Sequence, residues 1–368
     1  MPCGTCSIPC WRRPCGDKGL TDTRINMVVT KRSESAAGWA VVGLGIHAVE
    51  RMLPAFRRAH LARLVGVHSR RPDVTREVAR TYGVRGYSTL DGVLEDPDVQ
   101  AVYLATPNDL HRDQTVRAAA ARKHVLVEKP MALSVEDATA MVRACAGADV
   151  KLYVGFHLRF HPAHQRTRAL VAGGEIGDVV WAGARWVSQR APDRGWRLEP
   201  GRSGGTLLTA RGVHLLDLVR FVCATEFVSV SGCSDGFRPE KPPDDTTAGM
   251  GRLASGGLAH VVCSRLVPGG GNDLEIYGTR GTIVCRSTIA AEPAGTLLVA
   301  TGGAEQTHTY ERCDVLVDEL DGVSAAVAGA GADEVGASGE DGARVAAVTS
   351  GLIESVQSGR TVTLRYPV

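Results

Sequence analysis

The chain has 368 residues, a formal net charge of +2 and 44% hydrophobic residues. This balance offers no electrostatic basis for binding nucleic acid, and no apolar run approaches the roughly 20 residues that span a bilayer. The length suggests about two domains. We therefore expect a globular protein that acts on a small molecule, with no nucleic-acid partner, no membrane partner and no metal.

Residues 1–35 differ in texture from the rest of the chain. Four cysteines fall in this segment: Cys3, Cys6, Cys10 and Cys15. A Cys-x2-Cys pair can be half of a metal site, but this spacing fits no zinc template and no histidine lies nearby. We interpret the segment as a disordered leader, with Met27 as an alternative start.

Residues 36–156 alternate between apolar strands and helices. Strands are predicted at 39–42, 64–68, 99–104, 124–127 and 151–154. One helix runs from Pro72 to Gly83, another covers 109–122, and a third follows the capping residue Ser134. Such alternation predicts a Rossmann domain, a parallel sheet with helices on both faces. Pro54 should kink the first helix or delay its start.

Residues 157–368 have a different pattern. Helices are predicted at 161–172, 206–223 and 342–357, and a Gly/Pro/Arg-rich loop at 191–205. Strands are predicted at 178–188, 226–233, 246–253, 257–265, 272–278, 281–285, 296–301 and 361–366. Runs of strands with turn signals indicate a mostly antiparallel sheet, hence an α+β domain. No element is predicted within 302–340.

The first predicted strand ends in a turn that suits a dinucleotide. Gly43-Leu44-Gly45-Ile46 precedes Ala48, a Gly-x-Gly-x-x-Ala pattern. Gly43 permits the tight turn, Gly45 lets the backbone approach the pyrophosphate, and Ala48 lets the helix pack closely. The helix N-terminus supplies N–H groups for the phosphates.

The second predicted strand ends in Ser69-Arg70-Arg71, where an NAD enzyme usually places Asp or Glu. A carboxylate there would repel a 2′-phosphate, whereas a hydroxyl and guanidinium groups attract it. The sequence thus predicts NADP(H) in preference to NAD(H). The alternative is that these arginines form an ordinary solvated turn.

Two further loops follow strands of the same sheet. Thr106-Pro107-Asn108, with His111 one turn later, should flank the nicotinamide ribose, although His111 also suits an ordinary helix start. Glu128-Lys129 ends the next strand, so both residues are candidates for binding the cofactor, and only six of the 42 basic residues are lysines. Because lysine can be tuned to give up a proton and arginine cannot, Lys129 is the candidate acid.

Together these motifs resemble the Gfo/Idh/MocA oxidoreductases, the glucose–fructose oxidoreductase and inositol dehydrogenase family. The similarity extends through the segment 155–162, Gly204-Gly205, the segment 212–217 and the closing Ser358-Gly359-Arg360. It implies an open antiparallel sheet in the second domain, whose exposed face forms a homodimer or homotetramer. It also implies a sugar-like substrate between the domains and a role for Lys129 at the reacting carbinol or ketone.

One position departs from the family pattern. The family places an aspartate four residues before its histidine; here Ala210 precedes His214. The second acid/base candidate therefore lacks the carboxylate that would orient its ring. The standard proton relay of sugar dehydrogenases is in question for this chain.

Further side chains are candidates for contacting substrate. His157 and Arg159 lie at the strand-to-helix joint, where Arg159 could instead form a structural salt bridge. Trp196-Arg197 precedes the His214 helix and could gate the substrate. Asp217 is expected to pair or cap rather than to catalyse.

The sequence therefore predicts an NADP(H)-dependent oxidoreductase that reduces a sugar-like ketone, with Lys129 and His214 as catalytic residues. Two alternatives stay open: reduction of a cyclic imine or enone, which needs no carbinol-binding aspartate, and a non-catalytic NADP-binding regulator on the same fold. The six cysteines beyond the leader lie among apolar neighbours and are interpreted as reduced core residues of a cytoplasmic protein.

Overall fold

The computed structural model describes residues 36–189, 195–236, 244–290, 294–329 and 336–367. Its first sheet has seven strands, in which the short strand β15 (Ala337–Ser338) lies at the edge next to β6 and is followed by β5, β4, β1, β2 and β3. Strands β1 to β6 are parallel neighbours in the 3-2-1-4-5-6 order of a dinucleotide-binding fold. The bounds are β1 (Ala37–Val42), β2 (Ala62–His68), β3 (Arg85–Tyr87), β4 (Ala101–Leu104), β5 (His124–Val127) and β6 (Leu152–Val154).

Helices fill the crossovers between these strands, as the alternating pattern predicts. They are α1 (Leu53–Arg58), α2 (Pro72–Tyr82), α3 (Leu90–Leu94), α4 (His111–Ala120) and α5 (Val135–Gly147). The Ser134 hydroxyl caps α5 by accepting from the Asp137 N–H at 3.0 Å. The first helix begins before Pro54, with a π-helical turn at Ala48–Met52 that continues into α1. That turn ends before the proline, which has no N–H to donate to the preceding turn.

The second sheet has nine strands in the order β14-β13-β12-β11-β7-β10-β9-β8-β16. Every neighbouring pair is antiparallel except β7 with β10, so the predicted mostly antiparallel sheet is confirmed. The bounds are β7 (Val179–Val187), β8 (Phe227–Asp235), β9 (Thr246–Leu253), β10 (Leu258–Ser264), β11 (Leu274–Gly278), β12 (Gly281–Arg286), β13 (Gly295–Thr301), β14 (Ala304–Tyr310) and β16 (Val362–Thr363).

The described residues of the C-terminal half contribute five α-helices. They are α6 (Pro162–Ala172), α7 (Pro200–Ser203), α8 (Val213–Cys223), α9 (Val315–Val327) and α10 (Gly339–Ser358). Of these, α10 contacts strands of both sheets and α8 packs on the second sheet. Every residue of α8 is buried, and a second π-helical turn, Leu208–Gly212, leads into it. Helix α10 starts at a capping box formed by Ser338 and Asp341. The helix that carries His214 is thus enclosed by protein.

The chain returns to the first sheet near its end. Strand β15 (Ala337–Ser338) pairs antiparallel with β6, and α9 packs near β1, β2 and α1. Both β14 and α9 lie within 302–340, where the sequence predicts no element. The predicted boundary at residue 156 stays a prediction, and the structure adds that the C-terminal half supplies one strand of the Rossmann sheet.

The cysteine prediction holds for four of six residues. Those buried are Cys145, Cys223, Cys263 and Cys285. Cys233 is exposed on β8 and Cys313 is half-buried, so these two are not core residues. The predicted leader lies outside the described residues. Among the helices that the structure describes, none has both the length and the apolar character needed to traverse a bilayer.

Candidate active site

The turn after β1 has room for phosphates because two of its residues lack side chains. Gly43 has a φ of +100°, and a Cβ there would lie 2.6 Å from the Ala105 carbonyl oxygen. A Cβ on Gly45 would meet nothing within 4 Å, so its backbone faces open space. The Ile46 side chain is 72% exposed beside it, and Ala48 is fully buried under the helix. This geometry fits a dinucleotide pyrophosphate.

A cleft of about 440 Å³ opens from this turn. It brings together eight of the predicted cofactor residues: Gly43, Leu44, Gly45, Ser69, Arg70, Arg71, Thr106 and Pro107. Leu110 and Gln114 also line it and were missed, because a helix pattern does not reveal which side faces a ligand. Trp196 lines the cleft as well, beside the cofactor candidates, and its contact with substrate stays a prediction.

The loop after β2 has an internal hydrogen-bond network. The Ser69 hydroxyl lies 3.0 Å from the Thr75 hydroxyl and donates to the Arg71 carbonyl at 3.1 Å. The Arg71 guanidinium donates to the Leu44 carbonyl at 2.8 Å, which ties this loop to the glycine turn. Both arginines are exposed at the cleft, and Arg71 is the one tied to the glycine turn.

Glu128 is an internal anchor rather than an exposed ligand. Its carboxylate lies 3.1 Å from His47 Nε2, accepts from the Tyr103 hydroxyl at 2.5 Å and accepts from the Lys129 N–H at 3.2 Å. Burial would raise the pKa of Glu128, but His47, Lys129 and Tyr103 outweigh it and hold the pKa well below its usual range. The contacts of Glu128 are with protein groups that fix the backbone at Lys129.

Lys129 reaches across to the second half of the chain. Its Nζ donates to the Ala210 carbonyl at 3.0 Å. Ala210 lies in the π-helical turn Leu208–Gly212, directly before the helix of His214. The two predicted catalytic residues are thereby brought to one place from positions 85 residues apart in the chain.

Aromatic rings surround the His214 side chain. Its ring centroid lies 4.9 Å from that of His157, 5.3 Å from Trp186 and 5.9 Å from Phe156. The ring is 2% exposed, and its Nδ1 has no hydrogen-bond partner among the described residues. Burial, with Lys129 and His157 nearby, holds the pKa of His214 well below its ordinary value. The pKa of His157 falls to about 3, mainly through burial. Both imidazoles are therefore neutral at pH 7.

The remaining predicted residues take other places. Arg159 is 4% exposed and bonds Asp217 and Asp341, so the structural salt bridge weighed for it is the role the structure supports. The Asn108 amide donates to the Ser203 carbonyl at 3.0 Å, which joins the two halves of the chain. His111 is fully buried beneath the loops, not at the cleft. The exposed Arg197 packs over the Trp196 ring at 4.7 Å.

Two family models match the chain. Residues 37–156 match the oxidoreductase family with an NAD-binding Rossmann fold, and residues 164–284 match the GFO/IDH/MocA C-terminal domain. The 1,5-anhydro-D-fructose reductase of Ensifer adhaerens is 31% identical over 327 residues, which cover 88% of this chain and 97% of that protein. The chain belongs to the Gfo/Idh/MocA family. The resemblance stated from its motifs is confirmed.

Other relatives agree on the fold, and one of them is named for its use of NAD(+). The aldose-aldose oxidoreductase of Caulobacter crescentus has a crystal structure that aligns with a TM-score of 0.81 at 28% identity, covering 89% of this chain and 100% of that one. The scyllo-inositol 2-dehydrogenase (NAD(+)) of Bacillus subtilis is 32% identical over 214 residues, 56% of this chain and 61% of that protein. The protein is a nicotinamide-dependent oxidoreductase; its preference between NADP and NAD stays a prediction.

The glycine turn yields a paired prediction. We expect Gly43→Ala to destabilise the fold by about 1–3 kcal/mol, because a Cβ at φ +100° is strained and strikes the Ala105 carbonyl. Gly45→Ala should keep the wild-type melting temperature but weaken dinucleotide binding, since its methyl group fills the space open to phosphate. Thermal melts and NADPH titrations check both. Gly147→Ala, where a Cβ also meets nothing within 4 Å, is the control. Unchanged NADPH binding in Gly45→Ala would contradict the assignment of this turn.

Proposed function

We propose that the protein is an NADPH-dependent reductase of a sugar-like ketone. The observation that carries this proposal is the meeting of Lys129 with the His214 helix through the Ala210 carbonyl, next to a cleft fitted to a dinucleotide. The bound cofactor would supply a hydride to the carbonyl carbon. The side chains would supply the proton and the binding contacts.

Lys129 is the proposed proton donor. Negative charge develops on a carbonyl oxygen as the carbon accepts hydride, and a cationic amine stabilises that oxygen and can protonate it. The Ala210 carbonyl accepts a hydrogen bond from Nζ and so fixes the direction of the amine. The Glu128 carboxylate accepts a hydrogen bond from the backbone N–H of Lys129. His214, neutral and buried, would accept a hydrogen bond from the substrate or donate one to it, and its role in proton transfer would be secondary to that of Lys129.

Sugar-like substrates are proposed from the relatives and from the shape of the site. The relatives include proteins named for 1,5-anhydro-D-fructose, inositol and aldoses. His157 and Trp186, both half-buried, pack on the His214 ring, and aromatic rings of this kind suit the apolar faces of a pyranose-like ring. Trp196, with Arg197 over it, would close the cofactor cleft from the second half of the chain.

The methyl group of Ala210 favours a second candidate. A cyclic imine or an enone has no carbinol hydroxyl for an aspartate to accept, so its reduction does not need the carboxylate that this chain lacks. Comparing ketoses, cyclitols and cyclic imines by NADPH absorbance separates the two candidates. NADPH binding without turnover on any of these classes would support a regulator instead.

The NADPH preference is tested at Arg70. We expect Arg70→Ala to weaken NADPH binding about tenfold or more, because a charge-assisted hydrogen bond contributes about 1.5–3 kcal/mol, and to leave NADH binding nearly unchanged. Calorimetric titration with both cofactors is the measurement. Arg76→Ala, an exposed arginine on α2 outside the cleft, is the control. Equal losses for both cofactors would remove the basis for the preference.

The division of labour between Lys129 and His214 is tested by turnover. We expect Lys129→Ala to keep NADPH binding and to lose about 10² to 10⁴ in turnover with 1,5-anhydro-D-fructose as the probe, the usual contribution of a positioned acid. His214→Ala should lose clearly less, because its Nδ1 has no orienting carboxylate. Ala210→Asp should raise the pKa of His214 by placing an anion nearby.

Lys129→Arg is the control for charge, since it keeps the cation but cannot release a proton near neutral pH. Turnover, KM and pH–rate profiles are compared in both directions. Equal damage from His214→Ala and Lys129→Ala would mean that the relay works without its aspartate.

We also propose a cytoplasmic homodimer or homotetramer formed through the open face of the nine-stranded sheet. Met250 is 64% exposed and Leu258 is 49% exposed on neighbouring strands β9 and β10. Trp181 stacks beside them between His260 and Tyr277, at 5.1 and 4.6 Å. We expect light scattering to show an oligomer that the double variant Met250→Asp, Leu258→Asp dissociates. A monomeric wild-type protein would contradict this.

A further inference from the structure

His111 lies beneath the site, between two loops that the reaction would use. It is the first residue of α4 and is fully buried. Its Nδ1 lies 3.0 Å from the Pro130 carbonyl oxygen, and its Nε2 lies 3.1 Å from the Thr106 carbonyl oxygen. The ring therefore spans the loop after β4 and the loop after β5.

Each of these carbonyls belongs to a functional segment. Thr106 lines the dinucleotide cleft, and the Ala105–Thr106 peptide packs against Gly43 so closely that no Cβ fits there. Pro130 directly follows Lys129. A continuous set of contacts thus runs from the glycine turn through Thr106 and His111 to the lysine loop.

The lysine backbone is held from two sides. On its N-terminal side the Glu128 carboxylate accepts the Lys129 N–H at 3.2 Å. On its C-terminal side the next carbonyl, that of Pro130, faces His111. Glu128 fixes where the loop leaves β5, and His111 fixes how far it lies from the cofactor loop.

The chemistry of the ring suits a spacer of defined length. Burial lowers the pKa of His111, although the Pro130 and Thr106 carbonyls act to raise it. A neutral ring donates one N–H to one of the two carbonyls, and protonation would let it donate to both. In either state the planar imidazole sets the distance between the loops.

We propose that His111 is a positioning residue that fixes the distance between the Lys129 loop and the cofactor loop. The Lys129 amine then lies at the oxygen of the substrate carbonyl whose carbon accepts the hydride. It contacts neither cofactor nor substrate and acts through Lys129. The inference rests on the proposed role of Lys129 as proton donor.

The test uses two variants and a matched control. His111→Phe keeps a planar ring and removes both nitrogens, and His111→Gln restores an N–H donor. His164 is the control, because it is also fully buried and also bonds on both sides, to the Leu158 carbonyl at 2.7 Å and the Thr288 hydroxyl at 2.9 Å, but outside the site. Melting temperature, NADPH affinity, kcat and KM are measured on the full-length protein with 1,5-anhydro-D-fructose.

We expect His111→Phe to lower kcat about tenfold to a hundredfold, since a displacement near 1 Å can cost that much, with little change in KM or NADPH affinity. His111→Gln should recover part of kcat. His164→Phe should lower the melting temperature and leave kcat of the folded protein unchanged.

A double-mutant cycle with Lys129→Ala decides whether His111 acts through the lysine. In that background we expect His111→Phe to change the residual rate by less than about twofold, since no amine is left to misplace. The same fold-loss in both backgrounds would overturn the inference, as would wild-type kcat in His111→Phe, or failure of both His111 variants to fold while His164→Phe folds. If Lys129→Ala alone keeps turnover, the proposed function fails instead.

Discussion

The buried ion pair between Arg159 and Asp217 is the interaction on which the site depends. The guanidinium donates to both carboxylate oxygens, at 2.8 and 2.5 Å, and to Asp341 at 2.9 Å. Burial disfavours the charged guanidinium, but the two carboxylates outweigh it and raise the pKa of Arg159. Removing one partner of such a pair commonly costs about 3–5 kcal/mol, because it leaves a buried charge unpaired.

This ion pair determines where the second catalytic candidate can sit. Arg159 follows the last parallel strand of the Rossmann sheet, Asp217 lies on α8, and Asp341 lies in the capped first turn of α10. His214 is three residues before Asp217, less than one helical turn away. The guanidinium therefore fixes the His214 helix relative to the sheet that presents Lys129. The hydrogen bond from Lys129 to the Ala210 carbonyl connects the sheet to the start of the same helix at a second point.

Local sequence patterns predicted the features that depend on neighbouring residues. Alternating strands and helices, the glycine turn and the Glu-Lys motif each reflect the geometry of a few adjacent residues. The alternation was confirmed in the fold, and the roles of the two motifs stay predictions. Strand β15 has only two residues, so no period could reveal it. Helix α10 begins at Gly339, three residues before the predicted start, because Ser338 and Asp341 form a capping box there. Glycine is a poor helix former, so Gly339 and Gly342 obscure this start in the sequence, although the packing requires Gly342: a Cβ there would lie 2.4 Å from the Met131 sulfur.

Long-range placement could not be predicted from the sequence in this way. The sequence offered Arg159 either a ligand or a salt bridge, and only the fold shows which carboxylates surround it. The burial of His111 could not be predicted for the same reason: a residue next to a motif need not face the ligand that the motif binds. Ala210, which replaces the aspartate of the family pattern, is the opposite case. It was visible in the sequence, and in the structure the buried His214 Nδ1 has no hydrogen-bond partner among the described residues.

The His214 Nδ1, which has no hydrogen-bond partner among the described residues, bears on how a substrate would bind. An unsatisfied buried polar atom commonly costs about 1–3 kcal/mol of stability. The carboxylate of the family pattern would remove that cost. Here the position is occupied by a methyl group, and Phe156, His157 and Trp186 surround the ring. A substrate that brings its own polar group to His214 would recover the cost on binding. The same contact would orient the imidazole, so that the substrate supplies what the aspartate supplies elsewhere. The same interaction would then determine both substrate selectivity and acid–base chemistry. Lys129 would not need a substrate contact to orient it, because Glu128 and the Ala210 carbonyl already hold it.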